Sequence, residues 1–249
     1  MRRILVSLFI ASATLLGTSA VADVEEKLTA AMAAETRSDK DRARDANRRP
    51  IETLKFFGLK EDMRVLELLP GGGWYSNLLA PVLAEDGKLL VAVGTQGIEK
   101  MQSAGAFADV EVVEIEDGEF GRAEGSKRYH VEKMKLKTKN IDLALTFRNL
   151  HNLDAETRDL LNREVFRVLR KGGLYGVIDH TRRHMQSDND ENWRRMDPVQ
   201  MIKEIEAAGF KFVDQSDLHY RYDDDLVYEV GRRSVSGNTD RFTLLFKKP

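Results

Sequence analysis

An acid, a proline and three glycines stand together at Glu67, Pro70, Gly71, Gly72 and Gly73, inside the run Val65-Leu66-Glu67-Leu68-Leu69-Pro70-Gly71-Gly72-Gly73-Trp74-Tyr75. The apolar residues before the glycines suit a buried strand, and the pattern after them suits a helix. Glycines at a strand-to-helix turn reach positive φ and let a ligand approach the backbone without meeting a Cβ. The helix start then offers unpaired N–H groups. Glu67, near the end of the strand, is placed to reach a ribose hydroxyl or a cationic ligand group. A tight turn with no ligand would use the same glycines, so the turn alone leaves both readings open.

Proton transfer at neutral pH points to two histidines. His151 sits in Arg148-Asn149-Leu150-His151-Asn152 after the apolar run 141–147, and His180 follows the apolar run 174–178. Loops after such strands overlook the ligand crevice of an open α/β sheet. His151 is either a general base or a hydrogen-bonded residue that shapes its loop, and Asn149 offers an amide to a ligand. Asp179 and His180 could form an acid-base pair, or hold a metal with Asp188 or Asp190. Neighbours on a strand point to opposite faces, however, and these residues follow no recognised ligand spacing, so no metal is expected. Trp74 and Tyr75 either line the pocket or pack. Asp223-Asp224-Asp225 lacks the spaced oxygens and turn glycine of a calcium loop and reads as a solvated segment.

Strands and helices in alternation must position these residues. Residues 24–49, rich in Ala, Glu, Lys and Arg, predict one or two surface helices, and Pro50 opens another that stops at Gly58. Strands are predicted at 63–69, 88–93, 109–115, 141–147 and 174–178, with a further short strand or hairpin arm at 129–136. Pro81 should kink or divide the helix after the glycines. Asp154 is a plausible N-cap for a helix that ends at Arg170-Lys171-Gly172-Gly173, with its cations at the negative helix end. A helix at 198–208 precedes strands at about 210–218 and 241–246, which predict an antiparallel hairpin. The segment 118–140 reads mostly as loop. Alternating strands and helices predict an α/β fold with a largely parallel sheet.

Composition narrows the function classes. A formal net charge of −2 over 249 residues gives no field that would favour nucleic acid, and Arg48-Arg49 and Arg232-Arg233 read as solvated faces. The absence of cysteine excludes disulfides, thiolate metal sites, a cysteine nucleophile and lipoprotein acylation. Neither a G-x-S-x-G elbow nor a phosphate loop is present. Arg2-Arg3, the apolar run 4–16 and Ala20-Val21-Ala22 have the plan of a secretory signal peptide over residues 1–22, too short for a membrane span. The expected mature chain is exported, to the periplasm, as a single domain over 23–249 with a helical extension at about 23–57.

The Glu-tipped first strand, the glycine turn, the buried strand 141–147, a helix ending in Lys-Gly-Gly and the final hairpin together resemble the class I S-adenosylmethionine-dependent methyltransferases over most of residues 50–249. Phe56-Phe57-Gly58-Leu59-Lys60, Pro70-Gly71-Gly72-Gly73-Trp74-Tyr75, Thr146-Phe147-Arg148-Asn149-Leu150-His151-Asn152 and Thr239-Asp240-Arg241-Phe242 further resemble a group of exported bacterial proteins described as predicted methyltransferases. The resemblance implies a Rossmann-like, seven-stranded, mostly parallel sheet with helices on both faces and an antiparallel C-terminal hairpin. It also implies S-adenosylmethionine as donor and a small acceptor. Glu67, Gly71 and Gly73 match the acid and the second and third glycines of the donor turn. Two departures are clear: Leu69 replaces the first glycine, and Gly94 stands where an acid usually meets the ribose. Gln96 is a candidate substitute for that acid, and Asp117 for the acid that contacts adenine. A fold retained for binding without catalysis is the alternative. An NAD-dependent oxidoreductase would want G-x-G-x-x-G and an acid after strand two, and neither is present.

Overall fold

The computed structural model describes residues 24–249 in full and residues 16–23 by backbone alone. The leader expected over 1–22 lies outside the fully described residues. No described helix is long and apolar enough to cross a membrane.

The chain opens with helices α1 (Leu16–Ala33), α2 (Asp39–Arg42), α3 (Asp45–Arg48) and α4 (Pro50–Phe56). Then come β1 (Arg64–Leu68), α5 (Ser76–Leu83), β2 (Lys88–Ala92), α6 (Gln96–Ser103) and β3 (Glu111–Val112). Two short strands follow, β4 (Ile115–Glu116) and β5 (Lys135–Leu136), and then β6 (Ile141–Phe147) and α7 (Ala155–Val168). The chain ends with β7 (Leu169–His180), α8 (Pro198–Ala207), β8 (Lys211–Ser216) and β9 (Arg241–Lys247).

Seven strands form one sheet in the order β3-β2-β1-β6-β7-β9-β8, parallel except for β9, which is antiparallel to both β7 and β8. Parallel strands are covered on both faces, which is why β1, β2 and β6 are nearly continuous apolar runs. Leu66, Leu68, Leu90 and Ala144 turn toward α7 and α8, whose Leu161, Val165, Met201 and Ile205 are buried against them. Alternate residues Val65, Leu89, Leu143 and Leu145 face the other side, where Leu28, Leu54, Leu78 and Ile98 of α1, α4, α5 and α6 pack. Glu67 shares the second face with Val65. Its carboxylate therefore points at α5.

The strand order decides where a ligand can sit. From β1 the chain moves outward through β2 and β3, then returns to the opposite side of β1 as β6. The crevice at that reversal lies outside the carboxyl ends of β1 and β6.

Several local expectations change in the structure. The alternation at 109–115 serves two pairings: Glu111–Val112 joins the main sheet, whereas Ile115–Glu116 pairs with Lys135–Leu136 in a separate ribbon. Within 118–140 Gly121 bridges to His130 as well, so the segment is partly a hairpin. Pro81 lies inside α5 without dividing it; the proline is exposed, so the Asn77 carbonyl it leaves unpaired can be solvated. Asp154 caps α7 as expected, accepting from the Thr157 N–H at 2.8 Å. The other end of α7 differs: β7 starts directly at Leu169, Arg170 pairs with Asp142, and the cation on the last carbonyls is Lys248. Its Nζ donates to Phe166 O at 2.6 Å and Leu169 O at 2.7 Å.

Candidate active site

Positive backbone φ marks the ends of the three strands that frame the crevice. Leu69 after β1 has φ 54°, Val93 after β2 has φ 63° and Arg148 after β6 has φ 60°. Such angles cost a non-glycine residue free energy and persist where surrounding structure enforces them. Leu69 is held at both ends: its N–H donates to Ala92 O at 2.9 Å, and its carbonyl accepts from Asn149 Nδ2 at 2.8 Å. Asn149 Nδ2 also donates to Phe147 O at 3.1 Å. The amide thus ties the β1 turn to the β6 turn.

A cavity of about 210 Å³ opens between these turns. Glu67, Pro70, Gly71, Gly72 and Asn149 line it, together with Leu69, Trp74, Tyr75, Phe147 and the arginines Arg44, Arg48 and Arg148. A Cβ on Gly71 or Gly72 would meet nothing within 4 Å, so those two glycines leave open space on the ligand side. Gly73 is different. A Cβ there would lie 2.9 Å from Met101 Cε and 3.0 Å from Ile98 Cδ1, so Gly73 lets the turn pack on α6 instead of bordering the cavity.

Gly97, which the sequence reading passed over, backs the same turn. A Cβ on it would lie 2.1 Å from the Gly71 carbonyl oxygen. The signal was a second glycine three residues after Gly94, at a helix start where glycine has no propensity advantage.

Burial controls the electrostatics. Glu67 is 2% exposed, and burial pushes its carboxyl up to about 7, while the Ser76 hydroxyl donating at 2.6 Å and the Arg48 charge pull the other way. Arg48, read from sequence as part of a solvated face, is buried, with its guanidinium carbon 4.2 Å from the centre of the Trp74 ring. Desolvation, with Arg148 nearby, pulls it down to about 9. Tyr75 stacks on Phe147 at 3.5 Å and 11°, so the two aromatics both line the cavity and pack.

Glu67 thus gives a pH prediction. Its folded pKa lies above its unfolded value, so its contribution to stability is full below about 4.5 and is lost as pH rises through about 7. Glu67→Gln keeps an acceptor for Ser76 and removes the charge. Thermal unfolding should show the variant gaining about 1–3 kcal/mol over the parent at pH 8 and little at pH 4.5. An equal shift at both pH values would contradict the assignment.

His151 is buried beyond the cavity lining. Its Nδ1 lies 2.6 Å from Asp179 Oδ1, and its backbone N–H donates to Asp179 Oδ2 at 3.1 Å. A carboxylate only accepts, so Nδ1 carries the proton and Nε2 is the exchangeable nitrogen. Asp179 therefore serves His151 as well as the His180 N–H, at 2.8 Å. His180 lies with its ring 5.7 Å from that of His151 and its Nδ1 2.8 Å from Thr239 Oγ1. Burial holds its pKa well below the usual histidine range. The partnership follows from the parallel β6 and β7 register, in which Phe147 lies beside Ile178.

Other candidates are placed elsewhere. Asp188 pairs with Arg128 and Arg182, and Asp190 with Lys127. Among the described residues no group of three His, Cys, Asp or Glu side chains could hold a metal ion. Gln96 is exposed at the start of α6, and Asp117 lines a separate cavity with Glu119 and His130. The reading of 223–225 as solvated fails at Asp224, which is buried and paired with Arg195.

The cavity fits an amino-acid-like end of a ligand through its glycine face and its acid. Toward β2 the fit is poorer: Gly94 offers no side chain, Leu69 Cδ2 lies 3.7 Å from where a Gly94 Cβ would stand, and Glu67 is the one carboxylate in the lining.

The architecture is a Rossmann-like α/β fold, the one that solved methyltransferase structures share. The structure of a SAM-dependent methyltransferase from Aquifex aeolicus is similar over 83% of this chain and 93% of its own, with a TM-score of 0.57 and 19% identity. A methyltransferase of the same dependence from Mesorhizobium loti gives a TM-score of 0.50 at 15% identity, covering 79% of this chain and 96% of that one. The cyclase SpnF gives 0.56 at 16% identity over 91% and 93% of the two chains. At these identities the likeness concerns the fold, which hosts more than one chemistry. No family model and no curated protein matches the sequence.

Proposed function

We propose that this protein is a S-adenosylmethionine-dependent methyltransferase that acts on a small acceptor and is exported to the periplasm. The observation that carries the activity is the crevice outside β1 and β6, where Gly71 and Gly72 leave ligand space beside Glu67 and Asn149. Export rests on the N-terminal sequence. When bound, S-adenosylmethionine supplies an electrophilic methyl group. Glu67, Gly71, Gly72 and Asn149 would hold it, and Leu69 and Gly94 leave its ribose end with apolar contacts. His151 Nε2 takes the proton of the acceptor, while Asp179 positions the ring by fixing its tautomer and offsetting the positive charge that forms. Buried neutral His180 fills the space beside it.

Gly72→Val tests the site. Gly72 has no left-handed φ and no neighbour where its Cβ would be, so valine should fold with stability changed by less than about 1 kcal/mol. Calorimetric affinity for S-adenosylmethionine and S-adenosylhomocysteine should nevertheless fall at least about a hundredfold, because the side chain fills the cavity. Unchanged affinity in a folded variant would reject this crevice. His151→Ala should keep donor affinity and remove formation of S-adenosylhomocysteine in a screen of extracts from the exported compartment; turnover at the parent rate would refute the base role.

A second reading is supported by two features: His151 lies outside the cavity lining, and Gly94 removes the ribose acid. It is a small-molecule-binding protein that keeps the fold without catalysis. Tight donor binding with no turnover in any extract would favour it.

A further inference from the structure

Two arginines face the cavity with nothing to bond. Arg48 is 7% exposed, yet among the described residues no acceptor lies within hydrogen-bonding distance of its guanidinium, which rests on the Trp74 ring. Arg148, half-buried in the same lining, likewise makes no side-chain hydrogen bond or ion pair among the described residues. This contrasts with Arg44 at the same rim, which Asp41 neutralises, and with buried Arg195, which makes four hydrogen bonds to Asp224, Thr181 and Tyr228. A guanidinium has five N–H donors, and here they point into the cavity with no protein partner among the described residues, which leaves them open to a ligand. For Arg48 burial is the larger cost, and the charge of Arg148 nearby adds to it.

Charge accounting indicates what belongs there. Glu67 is the only acid in the lining, against the two unpaired cations. S-adenosylmethionine brings a sulfonium, an ammonium and one carboxylate, so its binding adds positive charge. A neutral or cationic acceptor would leave that excess buried. Resting on the methyltransferase reading, we propose that Arg48 and Arg148 form an anion clamp that selects an acceptor bearing a carboxylate or phosphate group. Guanidinium forks suit both groups, since each presents paired oxygens. The clamp also gives the N-terminal extension a role: α3 carries Arg48 into the crevice, whereas Arg148 comes from the end of β6.

Trp74 reports on the clamp, because an anion bound to Arg48 changes the charge above its indole ring. The chain has two tryptophans, so Trp193→Phe isolates the Trp74 signal. In that background, at constant ionic strength, inorganic phosphate and acetate are titrated separately. At least one should give a saturable change in Trp74 emission, and the tighter of the two identifies the group. Arg148→Gln, at a half-exposed position, should weaken that binding by about tenfold or more. Arg48→Lys keeps the charge but not the fork, and should weaken it less. Saturating S-adenosylhomocysteine should leave the anion affinity intact. Competition between the two would overturn the proposal by showing that the arginines serve the donor's own carboxylate, and so would the absence of a saturable response to either anion. Phosphate binding without any binding of S-adenosylhomocysteine would instead sink the methyltransferase reading, so the two failures are distinguishable.

Discussion

Gly97→Ala is expected to abolish measurable donor binding although residue 97 touches no ligand space. Its Cβ would lie 2.1 Å from the Gly71 carbonyl oxygen, and the obstacle is backbone on both sides: the first turn of α6 and the glycine turn itself. No side chain can rotate away. The turn must move, and Gly71 and Gly72 move with it. Overpacking of this kind costs about 1–3 kcal/mol, which corresponds to a drop in Tm of roughly 4–8 °C at 2 kcal/mol. The larger effect should be on binding, since a shift of about 1 Å in a positioning element can cost two orders of magnitude in function. Calorimetry on folded Gly97→Ala, beside Gly72→Val, separates displacement of the turn from filling of the cavity. Donor affinity equal to the parent's would show that the turn is not rigidly backed by α6.

The second large effect concerns stability. Arg195 and Asp224 are both fully buried and meet side by side, at 2.9 and 3.0 Å. Asp224 also accepts from the Asp240 N–H at 2.7 Å and the Leu226 N–H at 3.1 Å, so one carboxylate ties the middle of the long connection between β8 and β9 to its C-terminal end. Asp224→Ala leaves a buried guanidinium without its counter-charge and should cost about 3–5 kcal/mol, lowering Tm by roughly 10 °C or more. Hydrogen exchange should rise first across 217–240, where the bonds are lost. The double variant Arg195→Met with Asp224→Leu should recover only part of the loss: an apolar pair has no charge to desolvate, but the Asp240 and Leu226 N–H groups and the Thr181 and Tyr228 carbonyls lose their partners. A single variant within about 1 kcal/mol of the parent would show that the pair contributes little.

Local chemistry made much of this fold legible. The apolar run Ile141–Phe147 is β6 as predicted, because a strand buried on both faces needs no partner to reveal itself. Asp154 caps α7 and Pro50 opens α4, since capping depends on residues three or four apart. Other features escaped because their partners are far along the chain. The alternation at 109–115 could not show that it splits between a sheet and a ribbon. Lys248, not Arg170, meets the carbonyl end of α7.

The site divides along the same line. Sequence alone determined the glycine turn, the acid at its base and the loop after β6, because each is a contiguous run whose residue types suit one backbone geometry. Tertiary structure decided which glycines face a ligand and which face α6, that His151 is held by Asp179 of the neighbouring strand, and that Arg48 and Asp224 are buried charges. Composition reads a charged residue as solvated by default. Only the packing of the N-terminal helices and the C-terminal loop over the sheet removes water from those two, and once water is gone a charge must have a partner or a ligand.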